Sequence, residues 1–274
     1  MFGFAQPARI FLLVAVCCTA AYADVHPNQL ASAAAVDTGK VPDAGLIPEN
    51  KAGEVEVPAL ASLRPDVTTR DDEASKPSEP FRLPNSSSPS GEMPAKWRDL
   101  QSRLSADAKA VAACRSDESA CSQATRRFLA IVEFGHQREG RARLGWINRA
   151  VNLSVTPATD WEQYGYADFW ASPLQTLSSG SGDCEDYAII KYAVLRELGF
   201  DATDLRFVIV RDKSRETDHA VIAVRDEQGW LILDNRTMAI LKAEDAQHYQ
   251  PLFSFDEQGA HAITTAATDQ IRGQ

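Results

Sequence analysis

The sequence predicts an α+β fold, N-terminal helices followed by an antiparallel sheet. Three observations predict it. Apolar residues recur at helical spacing from Trp97 to Leu153, and again from Cys184 to Leu198. Short runs rich in β-branched and aromatic residues then follow one another between Leu205 and Leu233, joined by polar turns. Helices first and consecutive strands later distinguish this order from an alternating α/β chain.

Residues 1–23 of the 274-residue chain read as a secretory signal peptide. Arg9 supplies the positive charge, Ile10 to Ala20 is mostly apolar, and Ala21-Tyr22-Ala23 fits a small-x-small cleavage site. The apolar run falls short of the roughly 20 residues a membrane span needs. An uncleaved anchor is the alternative reading. The mature protein is expected to be exported, with the periplasm as its compartment. Residues 24–93 hold nine of the fourteen prolines and serine-rich stretches such as Asn85-Ser86-Ser87-Ser88-Pro89-Ser90. Such a composition buries too little apolar surface to order itself, so a disordered linker is expected. The folded domain is expected over 94–262 and a flexible tail over 263–274.

The formal net charge is −10, and loss of the single positive charge of Arg9 takes the mature chain to −11. So acidic a chain is not expected to bind nucleic acid. Cys17 and Cys18 leave with the signal peptide. Cys114 and Cys121, seven apart around a polar turn, form the natural disulfide of an exported protein. Cys184 is then left over, either reactive or buried and inert.

Element by element, Trp97, Leu100, Leu104, Ala108 and Val111 define a first amphipathic helix over 97–113. A second is expected over 124–135 and a third over 144–153. The aromatic-rich stretch 160–173 reads as irregular. Ser179-Gly180-Ser181-Gly182 leads into a helix over 184–198, which Gly199 stops. Strands are expected over 205–210, 219–224 and 230–233, the last two joined by the hairpin turn Asp226-Glu227-Gln228-Gly229, with a fourth over 249–255.

The chemistry centres on Gly182-Asp183-Cys184-Glu185-Asp186-Tyr187. A cysteine attacks as its thiolate, and a helix N-terminus favours that form because unpaired N–H groups face the sulfur. A nucleophile also needs a base in reach and a group to orient that base. His219 opens an apolar strand, where a polar side chain is otherwise hard to explain. Asp234 closes the next strand. A hairpin between the two strands brings His219 and Asp234 near each other, giving a triad in chain order Cys184, His219, Asp234. A small buried cysteine without chemistry is the bland alternative.

These residues carry a resemblance. Gly182-Asp183-Cys184-Glu185-Asp186-Tyr187-Ala188, Asp218-His219-Ala220-Val221 and Leu233-Asp234-Asn235, with Asp168-Phe169-Trp170-Ala171-Ser172-Pro173-Leu174 upstream, resemble the bacterial transglutaminase-like cysteine proteinases (peptidase family C93), which include a LapG-like periplasmic branch. The resemblance covers about 148–255. It implies a papain-like, transglutaminase-like core with Cys184 as nucleophile, His219 as general base and Asp234 as orienting acid. It also implies calcium, with Asp183 and Glu185 as ligands and Asp186 beside them; carboxylates around a thiol need such a counter-charge. In the LapG-like branch the substrate is a large surface adhesin, and an inner-membrane cyclic-di-GMP receptor is the regulator. The long segment 24–93 and the Cys114–Cys121 pair depart from that branch. Three functions fit: an endopeptidase acting on a protein substrate, a transglutaminase-type acyltransferase, and a non-catalytic binding module.

Overall fold

Short segments ahead of the first helix join the sheet. The computed structural model describes residues 79–82, 86–87, 89 and 91–263. The expected signal peptide, most of the expected linker and the tail beyond 263 lie outside the described residues. Within the stretch expected as linker, Arg206 Nε and Nη2 donate to the two carboxylate oxygens of Glu79 at 2.9 and 2.6 Å. Strand β1 (Ser86–Ser87) pairs with the last strand of the domain.

Three helices then follow at the expected places. α1 (Met93–Ser116) carries Pro94 in its first turn, where no intrahelical N–H is needed, and buries Trp97, Leu100 and Val111. α2 (Gln123–His136) starts at Ser122, whose hydroxyl accepts the Thr125 N–H at 3.0 Å, and buries Phe128, Ile131 and Val132. α3 (Gly140–Ser154) buries Leu144, Ile147 and Val151. The Cys114–Cys121 disulfide ties the last turn of α1 to the turn before α2. In the chain-entropy account so short a loop contributes about 2–3 kcal/mol. Replacing both cysteines by Ser is therefore expected to lower the unfolding free energy by about that amount in a denaturant titration; an unchanged midpoint would contradict it.

The aromatic stretch read as irregular holds short elements instead. After β2 (Thr156–Pro157) comes α4 (Asp160–Tyr164), opened by a capping box between Thr159 and Glu162 and ended by Gly165 at φ 71°. α5 (Pro173–Ser179) ends at Gly180, φ 73°, and leads into β3 (Ser181–Gly182). Helices of this length are too short to show a period. α6 (Cys184–Glu197) follows at once.

Consecutive strands complete the domain: β4 (Leu205–Asp212), β5 (Thr217–Asp226), β6 (Gly229–Leu233), β7 (Leu241–Lys242), β8 (Tyr249–Asp256) and β9 (Gly259–Ile263). With β1 they form, among the described residues, one seven-stranded sheet in the order β1-β9-β8-β4-β5-β6-β7, antiparallel throughout. The expected hairpin is present, with Asp226 facing Gly229 and Ile222 facing Leu233. Alternate residues feed two cores, as the two-residue period of a strand requires. Phe207, Ile209, Ile222 and Leu233 join the helices, α6 among them; Val208, Val210, Val221 and Ile232 join Ala243, Ala246 and Tyr249 on the other side. Covered on both faces, β4 reads as a continuous apolar run. Among the described residues no helix is long and apolar enough to cross a membrane.

Candidate active site

Two features place Cys184 at the tip of α6. The segment before it is pinned by the parallel pair β2–β3: Thr156 N–H donates to Gly180 O at 2.9 Å and Ala158 N–H to Gly182 O at 3.0 Å. Gly182 allows the tight entry, since a Cβ there would lie 2.6 Å from Asp186 Oδ2. Asp183 is the N-cap residue, so Cys184 is the first residue of the helix, 1% exposed. Glu185 Oε2 lies 3.3 Å from its sulfur.

α6 packs against β5, and Cys184 shares a core with Ala220, the residue after His219. The hairpin brings His219 and Asp234 together. His219 Nε2 and Asp234 Oδ1 are 2.8 Å apart, and the two side chains are 0% and 2% exposed. The carboxylate also accepts Tyr249 OH on Oδ2 at 2.6 Å and the Arg236 N–H on Oδ1 at 2.9 Å. Burial alone would raise its pKa, but His219, Tyr249 and the Arg236 N–H hold it well below the usual carboxylate range. An ionised Asp234 only accepts, so the ring proton sits on Nε2. Nδ1 is buried with no hydrogen-bond partner among the described residues. Burial lowers the His219 pKa, outweighing Asp234, and Arg236 and Lys191 lower it further. The ring is thus neutral at neutral pH, with Nδ1 as its acceptor.

Helix α3 fixes the turn that carries the acid. Asn152 Nδ2 donates to Asp234 O at 2.9 Å and to Thr237 O at 3.1 Å, and Asn148 Nδ2 donates to Thr237 O at 2.9 Å. Arg236 reaches Asp212 Oδ2 at 2.8 Å. Lys191, two turns along α6 from Cys184, is 1% exposed. Burial lowers its pKa to about 7 against the pull of Asp234.

The acidic residues behave differently from one another. Asp160, Asp183 and Glu185 are all buried and each offers one oxygen within 4.8 Å of the others. Asp186 stands outside that set and spends Oδ1 on the Ala171 N–H at 3.0 Å. Asp160 comes from the start of α4, a stretch from which the sequence suggested no ligand. Its one sequence signal is the Thr159–Glu162 capping box, which puts Asp160 in a first helical turn. Burial, reinforced by neighbouring carboxylates, raises Asp160 to about 6, Asp183 to about 7, and Glu185 and Asp186 well above the ordinary range. Asp160 Oδ1, Asp183 Oδ1 and Glu185 Oε1 are buried without hydrogen-bond partners among the described residues. Clustered, unpartnered carboxylate oxygens are the donor set of a hard cation.

A family model for the bacterial transglutaminase-like cysteine proteinases matches residues 102–264, from α1 to the end of the sheet. The chain belongs to this family. It is a transglutaminase-like cysteine peptidase, and the model's span takes in Cys184, His219 and Asp234. Solved structures similar to this proteinase include Legionella pneumophila LapG. The EGTA-treated form is 26% identical over 58% of this chain and 86% of that one, with a TM-score of 0.48. The calcium-bound form is 26% identical over 59% and 88%, with a TM-score of 0.47. A transglutaminase crystal structure is 12% identical over 40% and 30%, with a TM-score of 0.32. No curated protein matches this proteinase.

Proposed function

We propose that this proteinase hydrolyses a polypeptide through a thioester formed on Cys184. The observation that carries it is the buried His219–Asp234 pair, its Nδ1 without a partner among the described residues, on the strand against which the Cys184 helix packs. His219 takes the thiol proton, and the sulfur attacks the scissile carbonyl carbon. The C–N bond breaks as the imidazolium protonates the leaving amine. Water then attacks the thioester, giving its proton to His219, and the C–S bond breaks to release the acid and the thiol. Asp234 holds the ring and balances its charge when protonated. The backbone N–H of Cys184, at the helix tip, stabilises the tetrahedral oxyanion.

Hydrolysis and acyl transfer differ only in what resolves the thioester. Reduced protein incubated with a polypeptide substrate and a labelled primary amine is expected to yield new N-termini and no labelled product. Incorporation of the amine would assign it to transfer.

The signal-like residues 1–23 extend this reading to an exported enzyme whose mature chain starts at Asp24, and the family resemblance extends it to a surface adhesin as substrate and an inner-membrane cyclic-di-GMP receptor as regulator. Comparing surface proteins of cells with and without the gene tests the substrate: the adhesin is expected to be retained when the gene is lost.

Calcium is the cation we assign to Asp160, Asp183 and Glu185. It takes oxygen ligands at flexible geometry, and the three carboxylates leave backbone carbonyls or water to complete its shell. When bound, the ion offsets the negative charge beside the sulfur. At 100-fold excess over its Kd it is expected to stabilise the fold by about 2.7 kcal/mol, or roughly 5–10 °C in Tm. Asp160→Asn should blunt that shift. A Tm indifferent to calcium and chelator would remove the site.

A further inference from the structure

The family motifs do not include the group that binds the second oxygen of the Asp234 carboxylate. We propose that Tyr249 is a positioning residue of the site: its hydroxyl locks Asp234 so that His219 keeps Nδ1 as the proton acceptor. This rests on the hydrolytic reading above and adds a fourth residue to it.

Tyr249 opens β8 and pairs with Asp212 at the end of β4. Its hydroxyl donates to Asp234 Oδ2 at 2.6 Å. Oδ1 is occupied by His219 Nε2 at 2.8 Å and the Arg236 N–H at 2.9 Å. With donors on both oxygens, the carboxylate cannot turn about its Cβ–Cγ bond without breaking a hydrogen bond, and every partner is fixed. Asp212, opposite Tyr249, binds the Arg236 guanidinium at 2.8 Å, so the donors on Asp234 are tied to one another. Asn152 holds the backbone of the same residue.

The direction of the bond is fixed by charge. Asp234 is ionised, and burial together with that negative charge pushes the Tyr249 hydroxyl far above its ordinary range. It therefore stays protonated and donates at every pH the protein meets. Tyr249 is 6% exposed, so water is poorly placed to replace it.

A structural role alone does not need the oxygen. The ring packs in the outer core with Val210 and Trp230 and lies 5.7 Å from the His219 ring, contacts a phenylalanine would keep. What tyrosine adds is one donor. Without it, only the two bonds on Oδ1 restrain the Asp234 carboxylate, which loosens the partner that fixes the His219 tautomer.

The test is Tyr249→Phe in the reduced full chain, alone and combined with Asp234→Asn. Alone, kcat is expected to fall about tenfold, the kinetic size of one hydrogen bond to a charged group, with KM within about twofold. The ring-nitrogen NMR signals of His219 should pass from a single Nε2–H tautomer to a mixture. In the Asp234→Asn background the same change should cost nothing further. Full kcat with an unchanged ring spectrum would overturn the proposal. So would an undiminished tenfold loss in that background, which would place the effect elsewhere. The ring spectrum needs no substrate. Failure of the hydrolytic reading would show instead as cleavage persisting after Cys184 is replaced.

Discussion

Cys184→Ala abolishes polypeptide cleavage by the reduced protein, with a loss on the order of 10⁶-fold expected for removal of a covalent nucleophile. The substitution deletes one buried atom at the tip of α6 and leaves the His219–Asp234 pair untouched. No other cysteine in the described residues can take its place, because Cys114 and Cys121 are bonded to each other. The side chain is small, so the fold should survive; the melting curve checks this. Ser in place of Ala keeps the shape and still fails, since a hydroxyl is far less acidic than a thiol. More than about 1% of wild-type kcat in the Ala variant, measured on folded protein, would remove the thioester from the mechanism.

The second large effect concerns stability. Lys191→Met should make the protein more stable near neutral pH, by up to about 4 kcal/mol. The folded-state pKa of Lys191 is about 7, against 10.5 in an unfolded chain, because burial disfavours the ammonium more than Asp234 favours it. The folded state therefore binds fewer protons than the unfolded state between those values. The resulting penalty is complete below about pH 7 and fades as pH rises towards 10.5. Wild type should gain stability over that window relative to the Met variant, and the two curves should converge at its upper end. Met fills nearly the same volume with no charge to bury. Asp234 keeps its three hydrogen bonds in the variant, so no carboxylate is orphaned. Denaturant unfolding at several pH values reads the difference; a constant offset across pH 7–10 would refute it.

Much of this was legible in the residues, for reasons that can be stated. The long helices and the β5–β6 hairpin carry strong periods and a clear turn, so they fall within a few residues of expectation. The His219–Asp234 contact follows from that hairpin. α4, α5 and β9 are short, and a handful of residues cannot display a period. α6 reads as amphipathic, with Tyr187, Ile190 and Val194 on one side. In the structure it is buried nearly all round, Glu185, Asp186 and Lys191 included. Spacing does not reveal this, because the covering layers come from distant parts of the chain. Asp160 and Tyr249 escaped for the same reason. Asp160 lies 23 residues before Asp183, and only the β2–β3 pairing returns it to the acidic cluster. Tyr249 lies 15 residues past Asp234 and meets it only because β8 docks on β4.

Among the described residues the sheet ends at both rims on strands of two residues, β1 and β7. Strands this short offer a foreign extended chain little backbone of their own to pair with. The two rims are thereby blunted against edge-to-edge association between copies of the chain.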